Sequence, residues 1–232
     1  MKTRVVKVRL TYPSAPLGTY ANVAKVKVSL PKALPSRLTT LQKACTSQTF
    51  DADPGKCPGE SIVGHAEVIT PLLPVPLVGN AYFVSHASEA FPDLTIVLKG
   101  YGITVDLVGS TNIKNGITTT TFKTTPDVPF SSFELNLPAQ KYSALTANTN
   151  LCKSPLIMPT EFQAQNGAEL HQSTRISVTG CPKALTNRQK LQKALKACHK
   201  KHSKARKSCE AQARRRYGAK RGKGKKGAGK GK

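Results

Sequence analysis

Residues 91–138 carry the clearest alternation of apolar and polar positions in the chain. Leu94, Ile96 and Leu98 alternate with Thr95, Val97 and Lys99. After Tyr101-Gly102 the pattern resumes, with Ile103, Val105 and Leu107 opposed to Thr104 and Asp106. A period of two puts successive side chains on opposite faces of a strand, so these runs predict β-structure. Asn115-Gly116 predicts a tight hairpin turn, because both residues tolerate the positive φ such a turn requires. The threonine-rich run from Ile117 to Thr125 suits a pleated surface better than a helix. A corner at Pro126 and Pro129 leads to Phe133, Leu135 and Leu137, alternating with Ser132, Glu134 and Asn136. The prediction is a meander of antiparallel strands with one face buried.

The same period appears earlier. Val6, Val8 and Leu10 alternate with Lys7 and Arg9, and Ala24, Val26, Val28 and Leu30 with Lys25, Lys27 and Ser29. These predict a matched pair of half-buried strands whose outward cations protect a sheet edge. Pro35-Ser36 marks the start of a short helix striped by Leu38, Leu41 and Cys45, and residues 51–59 read as loop. Residues 62–84 read as two strands separated by a bulged or edge segment, because Pro71, Pro74 and Pro76 cannot donate to a ladder. Leu77, Ala81 and Phe83 resume the alternation. Residues 142–150 read as a surface connection, and residues 175–179 as a last strand with Ile176 and Val178 inward.

Beyond Pro182 the period changes. Thr186-Asn187-Arg188-Gln189 fits a capping box, after which Leu191, Leu195 and Cys198 share one helical face. Ser203 can cap a second helix, striped by Ala205, Cys209, Ala213 and Tyr217 and ended by Gly218. Residues 218–232 are a Gly/Lys run with nothing to bury, predicting a disordered basic tail. The expected architecture is therefore mainly β: an antiparallel β-sandwich-like body over residues 1–182, a basic helical hairpin over 183–217, and that tail.

Charge sharpens the division. The 232-residue chain carries 36 Lys+Arg against 12 Asp+Glu, a net charge of +24. Residues 1–181 account for only +5 of it, and residues 182–232, whose one acidic side chain is Glu210, for +19. Lys200, Lys201, Lys204, Arg206, Lys207, Arg214, Arg215, Arg216, Lys220, Arg221, Lys223, Lys225 and Lys226 are the candidate polyanion-binding residues. Dense cations bind polyanions by releasing counterions, with steep salt dependence and no sequence preference. The expected partner is an acidic cell-envelope polymer, with non-specific nucleic-acid binding through residues 188–232 as the alternative.

The cysteines fall at 45, 57, 152, 181, 198 and 209, an even number without metal-type CxxC spacing. That favours disulfides and an oxidising, extracellular or cell-surface setting. Fifteen complete connectivities exist for a set of this size, and segment spacing favours neighbour pairing: Cys45–Cys57, Cys152–Cys181 and Cys198–Cys209. Each closure would contribute about 3 kcal/mol in the chain-entropy account. Charges interrupt the apolar run at residues 5–10, unlike the core of a signal peptide, so an export leader is expected upstream of Met1. No apolar run reaches the ~18 residues of a membrane-spanning helix.

No motif for catalysis or cofactor binding emerges. His65, His86 and His171 are scattered, and Gly-x-Ser-x-Gly, His-Glu-x-x-His and phosphate-loop patterns are absent. Cys198, His199, His202 and Cys209 have the ligand types of a zinc site, but surrounding lysines and diverging histidines favour a disulfide. Asp93, Asp106 and Asp127 lack calcium-loop spacing and suit turns. A non-catalytic structural or adhesion module without cofactors is expected.

Several segments resemble uncharacterised secreted or cell-surface proteins of soil actinobacteria. They are Leu34-Pro35-Ser36-Arg37-Leu38-Thr39-Thr40-Leu41-Gln42, Thr70-Pro71-Leu72-Leu73, Thr121-Phe122-Lys123, Pro126-Asp127-Val128-Pro129 and Gln165-Asn166-Gly167-Ala168. The likeness spans nearly all of residues 1–182, and residues 198–217 resemble a Cys-containing basic module of other exported proteins. It implies an exported β-rich protein and brings no activity.

Overall fold

The computed structural model describes residues 5–183, 185–200 and 202–218. The chain divides into two compact units, Met1–Thr179 and Gly180–Lys232. Among the described residues the first unit is built on eleven strands: β1 (Val5–Thr11), β2 (Val23–Ser29), β3 (Cys45–Thr46), β4 (Ile62–Ile69), β5 (Leu77–Ser85), β6 (Asp93–Gly100), β7 (Ile103–Lys114), β8 (Ile117–Phe122), β9 (Ser132–Pro138), β10 (Ile157–Ala164) and β11 (Glu169–Arg175). Two short helices, α1 (Leu38–Leu41) and α2 (Ser47–Ala52), flank β3.

All strands join in one sheet, ordered β1-β9-β4-β5-β6-β7-β8-β2-β10-β11, with β3 alongside β5. Every pairing along that path is antiparallel, and only the β3–β5 bridge is parallel. The mainly antiparallel body is as expected. Its arrangement is one continuous sheet, curled so that both edge strands border a common interior, in place of the two sheets of a sandwich.

The β7–β8 turn forms as its sequence predicts, with Asn115 at φ 53° and Gly116 at φ 75°. Other neighbours differ from expectation. The meander holds through β6, β7 and β8, but β9 crosses the sheet to lie between β1 and β4. The β1 and β2 segments are strands but not partners: β1 is an edge, whereas β2 is interior, between β8 and β10. Residues 70–76 form the loop of the β4–β5 hairpin, not a strand segment. The last strand is Glu169–Arg175, and residues 176–179 lie outside any strand. Residues 142–150 are not wholly superficial, since Ala144 is 3% exposed and Leu145 bridges to Ser36.

The core has two layers of different origin. The inner face gathers Val63, Ala66, Leu77, Phe83, Ile96 and Leu98 with neighbours from β9. On the outer face, Tyr82, Val84 and Val97 meet Phe50 of α2 beside Cys45 and Cys57. The helix predicted to run toward Cys45 stops at Leu41, and a second helix forms from Ser47, its N-cap Thr46 accepting from the amide of Thr49. The Cys45–Cys57 disulfide closes this segment over the sheet. The two central strands are consequently buried on both faces, which the alternating pattern did not reveal.

The second unit contains α3 (Asn187–Cys198) and α4 (Ser203–Tyr217). The capping box of α3 forms as predicted: the Thr186 hydroxyl accepts from the Gln189 amide, and the Gln189 side chain accepts from the Thr186 amide. His202, not Ser203, occupies the N-cap of α4 and makes no side-chain cap. The Cys198–Cys209 disulfide links the helices, with Cα atoms 5.6 Å apart. Cys152 and Cys181 are also disulfide-bonded, so no described cysteine is free. No described helix is long and apolar enough to cross a membrane.

Candidate functional site

The cations of the second unit are presented on a small, cross-linked frame. A run this polar has little apolar surface to hold a helix, and only Cys198 and Ala213 are buried in α3 and α4. The disulfide therefore substitutes for a core, as small units require. Arg188, Lys190, Lys193, Lys196, Lys200, Lys204, Lys207, Arg214, Arg215 and Arg216 are all exposed.

Arg214, Arg215 and Arg216 follow one another in the last turn of α4. Consecutive helical residues are about 100° apart, so this trio spreads charge around the helix instead of forming one stripe. Cations there also complement the negative end of the helix dipole. Arg216 additionally lies over the ring of Tyr217, 5.6 Å from its centroid. Lys204 and Lys207 sit near the opposite, positive end, where the dipole opposes them.

Arg206 differs from the other candidates. Its Nε donates to Glu210 Oε1 at 2.8 Å, and His199 Nε2 lies 3.4 Å from the same oxygen. The hydrogen bond from Arg206, foremost, holds the Glu210 carboxyl below its ordinary range. The only acidic side chain of residues 182–232 is thus already engaged, by Arg206 and His199. Lys201, Lys220, Arg221, Lys223, Lys225 and Lys226, with the predicted disordered tail, lie outside the described residues.

In the first unit the histidines have separate local partners. His65 Nδ1 is 2.8 Å from Asn80 Oδ1, and His171 Nε2 is 3.7 Å from the Glu169 carboxylate. Asp127 accepts from Asn22 Nδ2 at 2.8 Å, tying a turn to the segment before β2. His86 is less isolated than its sequence suggests. With Glu89 and Asp93 it places three potential metal-ligand atoms within 4.8 Å of one another, the one such group among the described residues. The signal was their close spacing around the β5–β6 connection.

Asp93 in this group is 4% exposed, and its Oδ1 has no hydrogen-bond partner among the described residues. Burial, then the nearby Glu89 charge, raises its carboxyl above the usual range, against the opposing pull of His86. The folded state therefore favours the protonated acid, a contribution present at low pH and lost as pH rises through the folded pKa. Asp93→Asn is expected to stabilise the chain by about 1–2 kcal/mol at neutral pH, by removing a poorly solvated charge. That gain should shrink as acidification neutralises Asp93 itself, which thermal melts of both proteins from about pH 3 to 8 would measure.

No protein-family model matches the chain, nor does any curated protein or solved structure.

Proposed function

We propose that the protein is an exported or surface-associated, non-catalytic β-module whose basic C-terminal segment holds it to an acidic envelope polymer. The observation that carries this reading is the exposed cation set of α3 and α4, whose one acidic side chain, Glu210, is engaged by Arg206 and His199. Bound polyanion would supply the missing counter-charge and release condensed ions. The disulfides support an oxidising compartment, which favours an envelope polymer over cytosolic nucleic acid. The resemblance of residues 1–182 to secreted or cell-surface actinobacterial proteins belongs to the same proposal.

Binding of the full chain to poly(glycerol phosphate) and to duplex DNA across a salt series tests it. Affinity for the wall-type polymer should fall linearly on logarithmic axes. Each phosphate that a cation neutralises contributes about 0.7–0.9 to the slope, so replacing Arg214, Arg215 and Arg216 together with Gln should flatten it by up to roughly 2–3. A salt-independent affinity, or a slope untouched by the triple substitution, would remove the basic segment from the function. Clear preference for DNA would favour the nucleic-acid reading.

A further inference from the structure

The curled sheet wraps a partly open cavity of about 500 Å³, bordered by both edge strands, β1 and β11, and by the inner faces of most strands between them. Its size falls in the range of small-molecule sites, roughly 300–1,000 Å³. The strand register gives it two unlike walls. On one side Val8 and Leu135 are paired, as are Leu98 and Val105, and all four line the cavity with hydrocarbon.

On the other side a single row crosses five strands. Thr111 of β7 pairs with Thr120 of β8, Thr120 with Val28 of β2, Val28 with Thr160 of β10, and Thr160 with Gln172 of β11. All five line the cavity. Three hydroxyls and an amide thus stand at one level, interrupted only by Val28. Within the row, the Thr111 hydroxyl oxygen is buried, with essentially no surface open to the cavity, and has no hydrogen-bond partner among the described residues. A buried polar atom left unpaired is unfavourable, and a χ1 rotation that turns the Thr111 hydroxyl into the cavity would let a ligand hydroxyl or carbonyl satisfy it.

Charge is kept off both walls. Lys7, Arg9 and Arg175 border the cavity only from the edge strands. Alternation turns Lys7 and Arg9 opposite to Val6, Val8 and Leu10, and Lys7 instead meets Glu134 at 2.7 Å. Arg175 alternates likewise with Thr174 and Ile176. Away from the edge strands, an anionic or cationic headgroup would therefore meet no counter-ion on the inner walls.

We infer that this cavity is a binding site for a neutral, lipid-like molecule, with its hydrocarbon body against the Val8–Leu98 wall and a hydroxyl or carbonyl group on the threonine row. The test uses the full chain and the neutral fluorophore N-phenyl-1-naphthylamine. The probe should bind saturably at one site per chain, and decan-1-ol should displace it. Decanoate should compete at least about tenfold more weakly, because its charge would be buried unpaired. Thr111→Val should weaken decan-1-ol about three- to tenfold, the value of one neutral hydrogen bond, and leave the probe's own affinity unchanged.

Val28→Trp, which fills the space between Thr120 and Thr160, should abolish probe binding while retaining the β circular-dichroism signature. If that variant does not fold, Thr111→Val decides. A folded wild-type chain without saturable probe binding overturns the site. Decanoate competing as well as decan-1-ol, or decan-1-ol indifferent to Thr111→Val, overturns the neutral, hydroxyl-directed ligand class.

Discussion

Gly79→Ala should unfold the β unit or destabilise it by about 3 kcal/mol or more, the largest effect expected of any single methyl group in this chain. Gly79 lies inside β5, in register with Ala66 on one side and Leu98 on the other. A Cβ there would overlap the carbonyl oxygen of Val97 and crowd its carbonyl carbon. The obstacle is backbone in a central strand, so no side-chain rotation relieves it, and β5 and β6 must separate. Nothing lies within 4 Å of a Cβ placed on Gly59, so Gly59→Ala is the matched control. It should change stability by no more than about 0.5 kcal/mol. Urea denaturation of the full chain would compare the two. Similar midpoints would contradict the close β5–β6 approach.

The second large effect concerns the helical pair. Replacing Cys198 and Cys209 with serine removes a link spanning 11 residues of sequence, worth about 3 kcal/mol in the chain-entropy account. It also puts a hydroxyl at the buried position of Cys198. The pair has almost no apolar burial to offset that loss, so α3 and α4 are expected to melt at room temperature. Hydrogen exchange on the full chain would show amides of α3 and α4 moving to the fastest class while those of β5 and β6 keep their protection. Persisting protection in α3 and α4 would mean that their i,i+4 contacts suffice without the cross-link.

Local features of the fold were legible wherever a short stretch specifies its own geometry. Asn115-Gly116 dictates its turn by φ alone, and Thr186 with Gln189 dictates a helix start by two reciprocal hydrogen bonds. The spacing of Cys45 and Cys57, and of Cys198 and Cys209, similarly foretold their links. Adjacency between distant strands was not legible. A period of two says which face is buried but not which strand lies alongside, and β9 pairs far from its sequence neighbour. Among the elements that escaped, β3 and β10 included, two have weak periodicity. In α2 only Phe50 is buried, and in β11 the one large apolar residue, Leu170, is 59% exposed, so its backbone ladder to β10 defines it.

The candidate sites divide along the same line. Basic residues contiguous in sequence could be read directly as one charged segment. The threonine row could not, since Thr111, Thr120 and Thr160 look like ordinary strand formers until registry aligns them. The grouping of His86, Glu89 and Asp93 likewise depends on how the chain returns into β6.

The two-sided burial of β5 and β6, under α2 and its cystine, gives the sheet a stiff spine and leaves its margins least anchored. Thermal fraying would begin at β1 and β11, each hydrogen-bonded to one neighbour only. Those same margins flank the hollow interior, so a guest could slip through a transient slit there while the spine stays shut. Entry and global unfolding would then be separate events with separate barriers.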